Sequence, residues 1–144
     1  MNETLKVKLL FEDSHIPSRG SEEAAGFDLC AAEQVTINPR HTAKVGTGIA
    51  VAIPKGYFGA LFARSGLATK KGLKLANSVG VLDSDYRGEI IAAMYNDSNQ
   101  PQVILKGDRI AQLVIIPYVS PKIDVVSDLD ETERGEGGFG STGR

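Results

Sequence analysis

Near the C-terminus an arginine is followed by closely spaced glycines, an aromatic ring and two hydroxyls: Arg134, Gly135, Gly137, Gly138, Phe139, Gly140, Ser141 and Thr142. A guanidinium, backbone amides left approachable by glycine, and hydroxyls all bind phosphate oxygens, while an aromatic face suits a nucleobase. The same residue types also fit an unstructured glycine-rich end. Asp128, Asp130, Glu131, Glu133 and Glu136 make the segment acidic, so a polyanion docks there only if cations offset the repulsion, and Glu136 is expected to point outward.

Other residues with chemical potential are scattered through the chain. Arg64-Ser65-Gly66 sits where a strand pattern gives way to a short helical one, so a guanidinium and helix-start amides can face an anion together; a surface arginine beside an N-cap serine fits equally well. Asp83-Ser84-Asp85 reads as a polar turn whose carboxylates bond nearby amides, followed by Tyr86, a residue often found at strand ends or in cores. Asp28 fits a turn-bonding acid, and Gln112 a polar side chain on the outer face of a strand. Asp108 and Arg109 suggest a structural ion pair or a subunit contact. His15 and His41 are isolated, and no His or Cys cluster has zinc-ligand spacing; a hard divalent ion, partly held by substrate phosphates, suits these residues better.

The elements that must position these groups are mostly short strands. Leu5, Val7 and Leu9 alternate with Lys6 and Lys8, the period of a half-buried strand. Further strands are predicted at 27–31, 34–37, 44–53, 57–63, 89–95, 103–105, 109–116 and 123–126, separated by Gly, Pro, Asn and Asp. Many short strands with such turns indicate an all-β jelly roll, sandwich or barrel. One short helix is predicted from Ser65 to Lys71, with Ser65 as its cap, Lys70 and Lys71 near its C-terminal end, and Gly72 as an αL stop. After Val126 the apolar pattern ceases. The expected organisation is a β domain over residues 1–126 and a flexible arm over 127–144.

Composition narrows the classes. The 144 residues fit one compact domain, and the formal net charge of -2 supplies no positive field for nucleic acid or an anionic membrane. Residues 1–20 lack a signal-peptide apolar run, and no stretch approaches the length of a bilayer span. The single cysteine, Cys30, has apolar neighbours that suggest a buried thiol, and it cannot form an intrachain disulfide. A soluble, cytoplasmic protein is expected.

Five separated segments then fall into a recognisable order: AAGFDL from Ala24, RSGLA from Arg64, GVLDSDYRG from Gly80, GDRIAQL from Gly107, and the tail from Arg134 to Gly143. Together they resemble the five motifs of the trimeric dUTP pyrophosphatase (dUTPase) family, and the likeness runs from about Lys6 to Arg144. The resemblance implies hydrolysis of dUTP to dUMP and pyrophosphate, which limits uracil incorporation into DNA and supplies dUMP for dTMP synthesis. It implies a jelly-roll homotrimer with active sites shared between subunits. Asp83 becomes the catalytic base that activates water for attack on the α-phosphorus. Tyr86 packs on the deoxyribose and leaves no room for a 2'-hydroxyl. The segment from Asn77 through Val81 and Leu82 to Ile91 becomes a hairpin that presents its backbone to uracil. Ser65 and the Gly66 amide take the phosphate chain, with Arg64 neutralising charge. Arg134, Ser141 and Thr142 take the γ-phosphate while Phe139, beside Gly140, stacks on uracil. Asp28 and Gln112 touch water bound to Mg2+. Ala63 stands where many family members carry proline, a change that removes no ligand-binding group.

Two alternatives belong to other classes. A dCTP deaminase shares the fold but needs different polar groups at the base, and the intact DSDYRG segment with its full tail favours the pyrophosphatase. A nucleotide-sensing trimer without catalysis would have no need to retain Asp83.

Overall fold

The computed structural model describes residues 4–140 and 143. Along the chain run β1 (Lys6–Leu9), β2 (Phe27–Cys30), β3 (Val35–Ile37), β4 (Thr42–Ala52), β5 (Tyr57–Ala63), α1 (Ser65–Lys70), β6 (Leu73–Leu75), β7 (Gly80–Leu82), β8 (Glu89–Asn96), β9 (Gln102–Ile104) and β10 (Arg109–Pro117). All pairings are antiparallel. One sheet has the order β1-β4-β8-β6, a second β2-β10-β5-β7, and β3 pairs with β9. Consecutive strands such as β4 and β5, or β7 and β8, lie in different sheets, so the chain crosses repeatedly between layers, as a jelly roll requires.

Strand periodicity decides what fills the space between the sheets. In β8 the residues Ile90, Ala92 and Met94 are fully buried, whereas Ile91 between them is exposed, the alternation of a strand with one face on the core. Val45, Ile49, Leu73, Ile110, Leu113 and Leu29 meet them there. Asn96 is the polar exception at the end of β8. Its amide donates to Ile37 O (2.8 Å) and Gln100 O (2.7 Å) and its oxygen accepts from Ser98 N (2.9 Å) and Ser98 Oγ (2.7 Å). All four positions of the buried side chain are satisfied, which removes the penalty for burying it.

β4 breaks the alternation. Its register against β8 shifts between Gly46, opposite Ile91, and Ala50, opposite Glu89, so Thr47, Gly48 and Ile49 together face Ile90. This bulge turns through Gly48 at φ 70°, a left-handed conformation that favours glycine. Side chains satisfy the backbone groups it releases from the ladder. Thr47 Oγ1 donates to Ile90 O (2.7 Å), and the Gly48 amide donates to Glu89 Oε2 (2.9 Å).

Several predicted details are corrected. Arg64, not Ser65, occupies the N-cap of α1, with no side-chain cap bond; Ser65 is already helical and its carbonyl accepts from Thr69 Oγ1 (2.8 Å). The C-terminal stop is as expected, with Gly72 at φ 68°. No strand forms at 123–126, where Ile123 and Val125 are 88% and 91% exposed. Asp108 and Arg109 do not form an ion pair with each other; the Asp108 carboxylate instead accepts from Leu105 N (2.8 Å) and closes the turn before β10. Cys30 is only partly buried.

Candidate functional site

The predicted site residues gather into two clusters and a tail. The first cluster is built on the second sheet. Asp28 in β2 pairs with Gln112 in β10, and Gln112 pairs in turn with Phe62 in β5. Arg64, one residue beyond β5, donates from Nε to Asp28 Oδ1 at 3.0 Å, and the Gln112 amide donates to Ala63 O at 3.1 Å. Gly26 makes this approach possible, since a Cβ there would lie 2.7 Å from Gln112 Oε1. Asp28, Arg64 and Gln112 are thus held together at one end of the sheet. Beside them Ser65 and Gly66 open α1, both exposed, and a Cβ on Gly66 would meet nothing within 4 Å. The first amides of a helix have no intrahelical acceptor, so this end presents donors, a hydroxyl and a cation together.

Cys30 stands next to Arg109 across β2 and β10. Burial pushes its thiol up from the ordinary range, outweighing the pull of the Arg109 guanidinium in the other direction. A neutral thiol at pH 7 is a poor nucleophile.

The second cluster surrounds the connection from β7 to β8. Val81, Leu82, Asp83, Tyr86, Glu89 and Ile91 line a cleft of about 180 Å³. Asp83 is exposed, and its carbonyl accepts from Tyr86 N at 3.1 Å, closing a turn. Arg87 braces that turn by donating to Ser84 O (2.6 Å) and Tyr86 O (3.2 Å). The Tyr86 hydroxyl donates to Glu89 O at 2.9 Å. Leu82 packs against the core. Asn77 lies outside the cleft, in the exposed connection before β7, where Val79 N donates to Asn77 O (2.7 Å).

This segment is not the hairpin expected from the sequence. β7 pairs with β5, and β8 pairs with β4 and β6, so residues 83–88 carry the chain from one sheet to the other. Arg87 and Gly88, within the GVLDSDYRG segment, and Glu89, at the start of a predicted strand, had no individual role assigned from sequence. The signal for Glu89 was present, because strand alternation from Ile91 puts both on the outward face.

The two clusters are separated within one chain. Leu82 pairs with Gly59 and Arg64 follows Ala63. Gly59 and Ala63 are roughly 13 Å apart along an extended strand, and the antiparallel strands β7 and β5 leave in opposite directions from there.

The tail runs past Tyr118, whose ring meets Phe58 edge-on at 6.1 Å and whose amide donates to Gly56 O (3.0 Å). Beyond it, among the described residues, the hydrogen bonds of the segment are internal: Arg134 Nε donates to Gly137 O (2.7 Å), Gly137 N to Arg134 O (3.2 Å), and Gly135 N to Thr132 Oγ1 (3.0 Å). Phe139 is fully exposed with φ 48°, and Gly140 follows at φ 82°. Ser141 and Thr142 lie outside the described residues. No three His, Cys, Asp or Glu side chains converge as metal ligands among the described residues.

Comparison with known proteins places this arrangement. The dUTPase family profile matches residues 12–143. A deoxyuridine 5'-triphosphate nucleotidohydrolase of Paramecium bursaria Chlorella virus 1 is 47% identical over 140 residues, covering 97% of this chain and 98% of the relative. One from Nautilia profundicola is 49% identical over 140 residues, covering 97% and 99%. Among solved structures, the Staphylococcus bacteriophage 80alpha dUTPase with dUpNHpp superposes with a TM-score of 0.88 at 34% identity, over 98% of this chain and 99% of that one. A mutant dUTPase from phage phi11 of S. aureus, described as coordinating a structural Mg(II) ion, gives 0.84 at 30% identity over 90% and 100%.

Proposed function

This chain is a member of the dUTPase family, and on that premise we propose that it hydrolyses dUTP to dUMP and pyrophosphate by attack of water on the α-phosphorus, with Asp83 as the general base. The observation that carries the assignment of roles is the cleft in which Asp83 and Tyr86 stand together beside the exposed Val81. A carboxylate there can accept a proton from water as that water is aligned with the phosphorus. The Tyr86 ring, a few residues away, is suited to packing on deoxyribose and rejecting a 2'-hydroxyl. Backbone groups from Val81 to Ile91 are suited to reading uracil, since unmatched polar groups penalise another base.

The phosphate chain falls to the first cluster. Ser65, the Gly66 amide and Arg64 offer a hydroxyl, an N–H and a cation. Asp28 and Gln112 fit a hard cation that reaches the protein through its water shell: their donors are oxygen atoms, and among the described residues no direct ligand set competes with them. Mg2+ bound there with the triphosphate would neutralise charge and help align the leaving pyrophosphate. The Arg64 guanidinium is oriented by Asp28 before substrate arrives, which lowers the cost of ordering it.

Because the two clusters lie apart within one chain, a complete site needs Asp83 from one subunit and Arg64 from another. This supports a homotrimer with shared sites. The exposed Val119, Ile123, Val125 and Leu129 (86%, 88%, 91% and 84%) are apolar surface of the kind that a neighbouring chain covers. The arm over 127–144 then brings Arg134, Phe139, Gly140, Ser141 and Thr142 to a site it does not share with its own body, closing over base and γ-phosphate. Among the described residues no helix is long and apolar enough to cross a membrane; we place the reaction in the cytoplasm, where it would limit uracil incorporation into DNA and supply dUMP.

The test is a panel of dUTP, dCTP, UTP and dTTP, each with and without Mg2+, read by pyrophosphate and ammonia release. Magnesium-dependent pyrophosphate from dUTP alone is expected. Ammonia from dCTP, or equal use of UTP or dTTP, would overturn the proposal.

A further inference from the structure

We propose that Gly88 and Glu89 are positioning residues for the sugar-selecting ring, and that the bulge in β4 is the anchor from which they act. The proposal rests on the reading of Tyr86 as the filter against a 2'-hydroxyl.

Tyr86 is exposed on a loop between two sheets, where an aromatic side chain has no surrounding core to fix its rotamer. Two contacts fix it. The ring lies across Gly88 so closely that a Cβ at that position would fall 2.4 Å from the Tyr86 hydroxyl oxygen, 2.6 Å from Cζ and 2.9 Å from Cε1. None of these approaches is tolerated by a real side chain, so an alanine at 88 must turn the ring away. The hydroxyl donates to the Glu89 carbonyl at 2.9 Å, which locks the far end of the ring to the first residue of β8.

That carbonyl is useful only if the start of β8 is itself fixed. There the ladder to β4 is interrupted by the bulge, and the Glu89 side chain replaces what the ladder has lost. Its Oε2 accepts the Gly48 amide at 2.9 Å. A Cβ on Gly46 would lie 2.6 Å from the same oxygen, so Gly46 leaves the space that the carboxylate fills. The bulge is held from its other side as well, where Gly48 O accepts from Ser14 Oγ (2.7 Å) and Leu10 N (2.8 Å). One residue therefore works at both ends: the Glu89 carboxylate ties β8 to the bulge, and the Glu89 carbonyl ties Tyr86 to β8.

A ring held this way discriminates by being unable to yield. If Tyr86 could rotate, a 2'-hydroxyl would be accommodated for the small cost of a rotamer change. Held by Gly88 and Glu89, the ring makes the extra oxygen a steric conflict. The quantity that reports this is the ratio of kcat/KM for dUTP to that for UTP.

The experiment measures that ratio in Tyr86→Ala, Tyr86→Phe, Gly88→Ala, Glu89→Ala and Glu89→Gln, with trimer mass and thermal midpoint as controls. Tyr86→Ala is expected to collapse the ratio. Gly88→Ala should lower it about ten- to a hundredfold, the scale of a misplaced active-site group. Tyr86→Phe and Glu89→Ala should each lower it about three- to tenfold, the effect of one lost hydrogen bond. Glu89→Gln retains an acceptor for Gly48 and should restore the ratio, a rescue that a general loss of stability would not produce. Tyr86→Phe alters an exposed side chain, so the test survives if Gly88→Ala or Glu89→Ala fails to fold. A ratio lost in Tyr86→Ala but kept in Tyr86→Phe, or in folded Gly88→Ala or Glu89→Ala, overturns the inference and leaves the filter standing. A ratio kept in Tyr86→Ala overturns the filter, and the inference with it.

Discussion

At the scale of the residue, chemistry and burial divide the labour clearly. Asp83 is an exposed carboxylate in a turn, and nothing in its own neighbourhood in the sequence separates it from Asp85. What distinguishes it is its place in the cleft beside Tyr86. A positioned general base contributes about 100- to 10,000-fold in rate, and Asp83→Asn should lose turnover on that scale while the assembly mass and thermal midpoint stay unchanged; near-normal pyrophosphate release from the folded variant would remove Asp83 from the mechanism. Cys30 supplies the opposite case. Burial raises its thiol pKa, so at pH 7 the folded protein holds it neutral, and the thiolate gains population only as pH rises past the ordinary thiol range. Iodoacetamide labelling of the folded enzyme should accordingly be slow at pH 7 and accelerate at higher pH than for a free cysteine, and Cys30→Ser should keep its turnover. Rapid labelling at pH 7 would contradict this environment. The pairing of Arg64 with Asp28 was not visible in the sequence, because 36 positions of chain separate them and only the β2-β10-β5 order makes them neighbours.

At the scale of the element, most strands were legible, including β3 and β9 with three residues each, but β6 and β7 were not. β5 matches its expected limits, Tyr57 to Ala63, because seven residues rich in apolar and aromatic side chains are bounded by Pro54, Gly56 and Arg64. β6 and β7 have three residues each, too few to show a period, and β7 begins with a glycine that reads as a turn. The apparent strand at 123–126 failed for the converse reason: its alternation is real, but among the described residues it pairs with no strand. β8 shows how an element depends on its last residue. Asn96 clamps the connection from β8 to β9 through four hydrogen bonds, each worth about 1 kcal/mol net when satisfied. Asn96→Ala leaves the Ile37 and Gln100 carbonyls without that donor and should destabilise the fold by about 2–4 kcal/mol, seen as a lower urea midpoint with an unchanged slope. A loss below about 0.5 kcal/mol, the range of an ordinary surface substitution, would mean that water replaces the network. Composition hides such a residue, since a buried asparagine and a loop asparagine look alike in sequence.

At the scale of the whole molecule, strand register sets the requirement for assembly. β5 carries both halves of the site: Arg64 leaves one end, and β7, leading to Asp83, leaves toward the other. No rotation of a side chain bridges that separation, so the proposed site is one that a second copy would complete. Subunit mixing tests this directly. Asp83→Asn and Arg64→Ala assemblies should each be nearly inactive by themselves. Dissociated together and reassembled at equal ratio, they form sites in which a wild-type Asp83 from one chain meets a wild-type Arg64 from another, about a quarter of all sites if subunits assort at random in a closed ring. Activity should therefore rise well above either parent, whereas sites contained within one chain never recover. The tail extends the logic. A chain lacking residues 134–144 should still assemble and turn over poorly alone, yet when mixed with Asp83→Asn it should recover activity, because the missing arm is supplied by the partner that lacks the base. Recovery in the first mixture without recovery in the second would confine each arm to the Asp83 of its own chain.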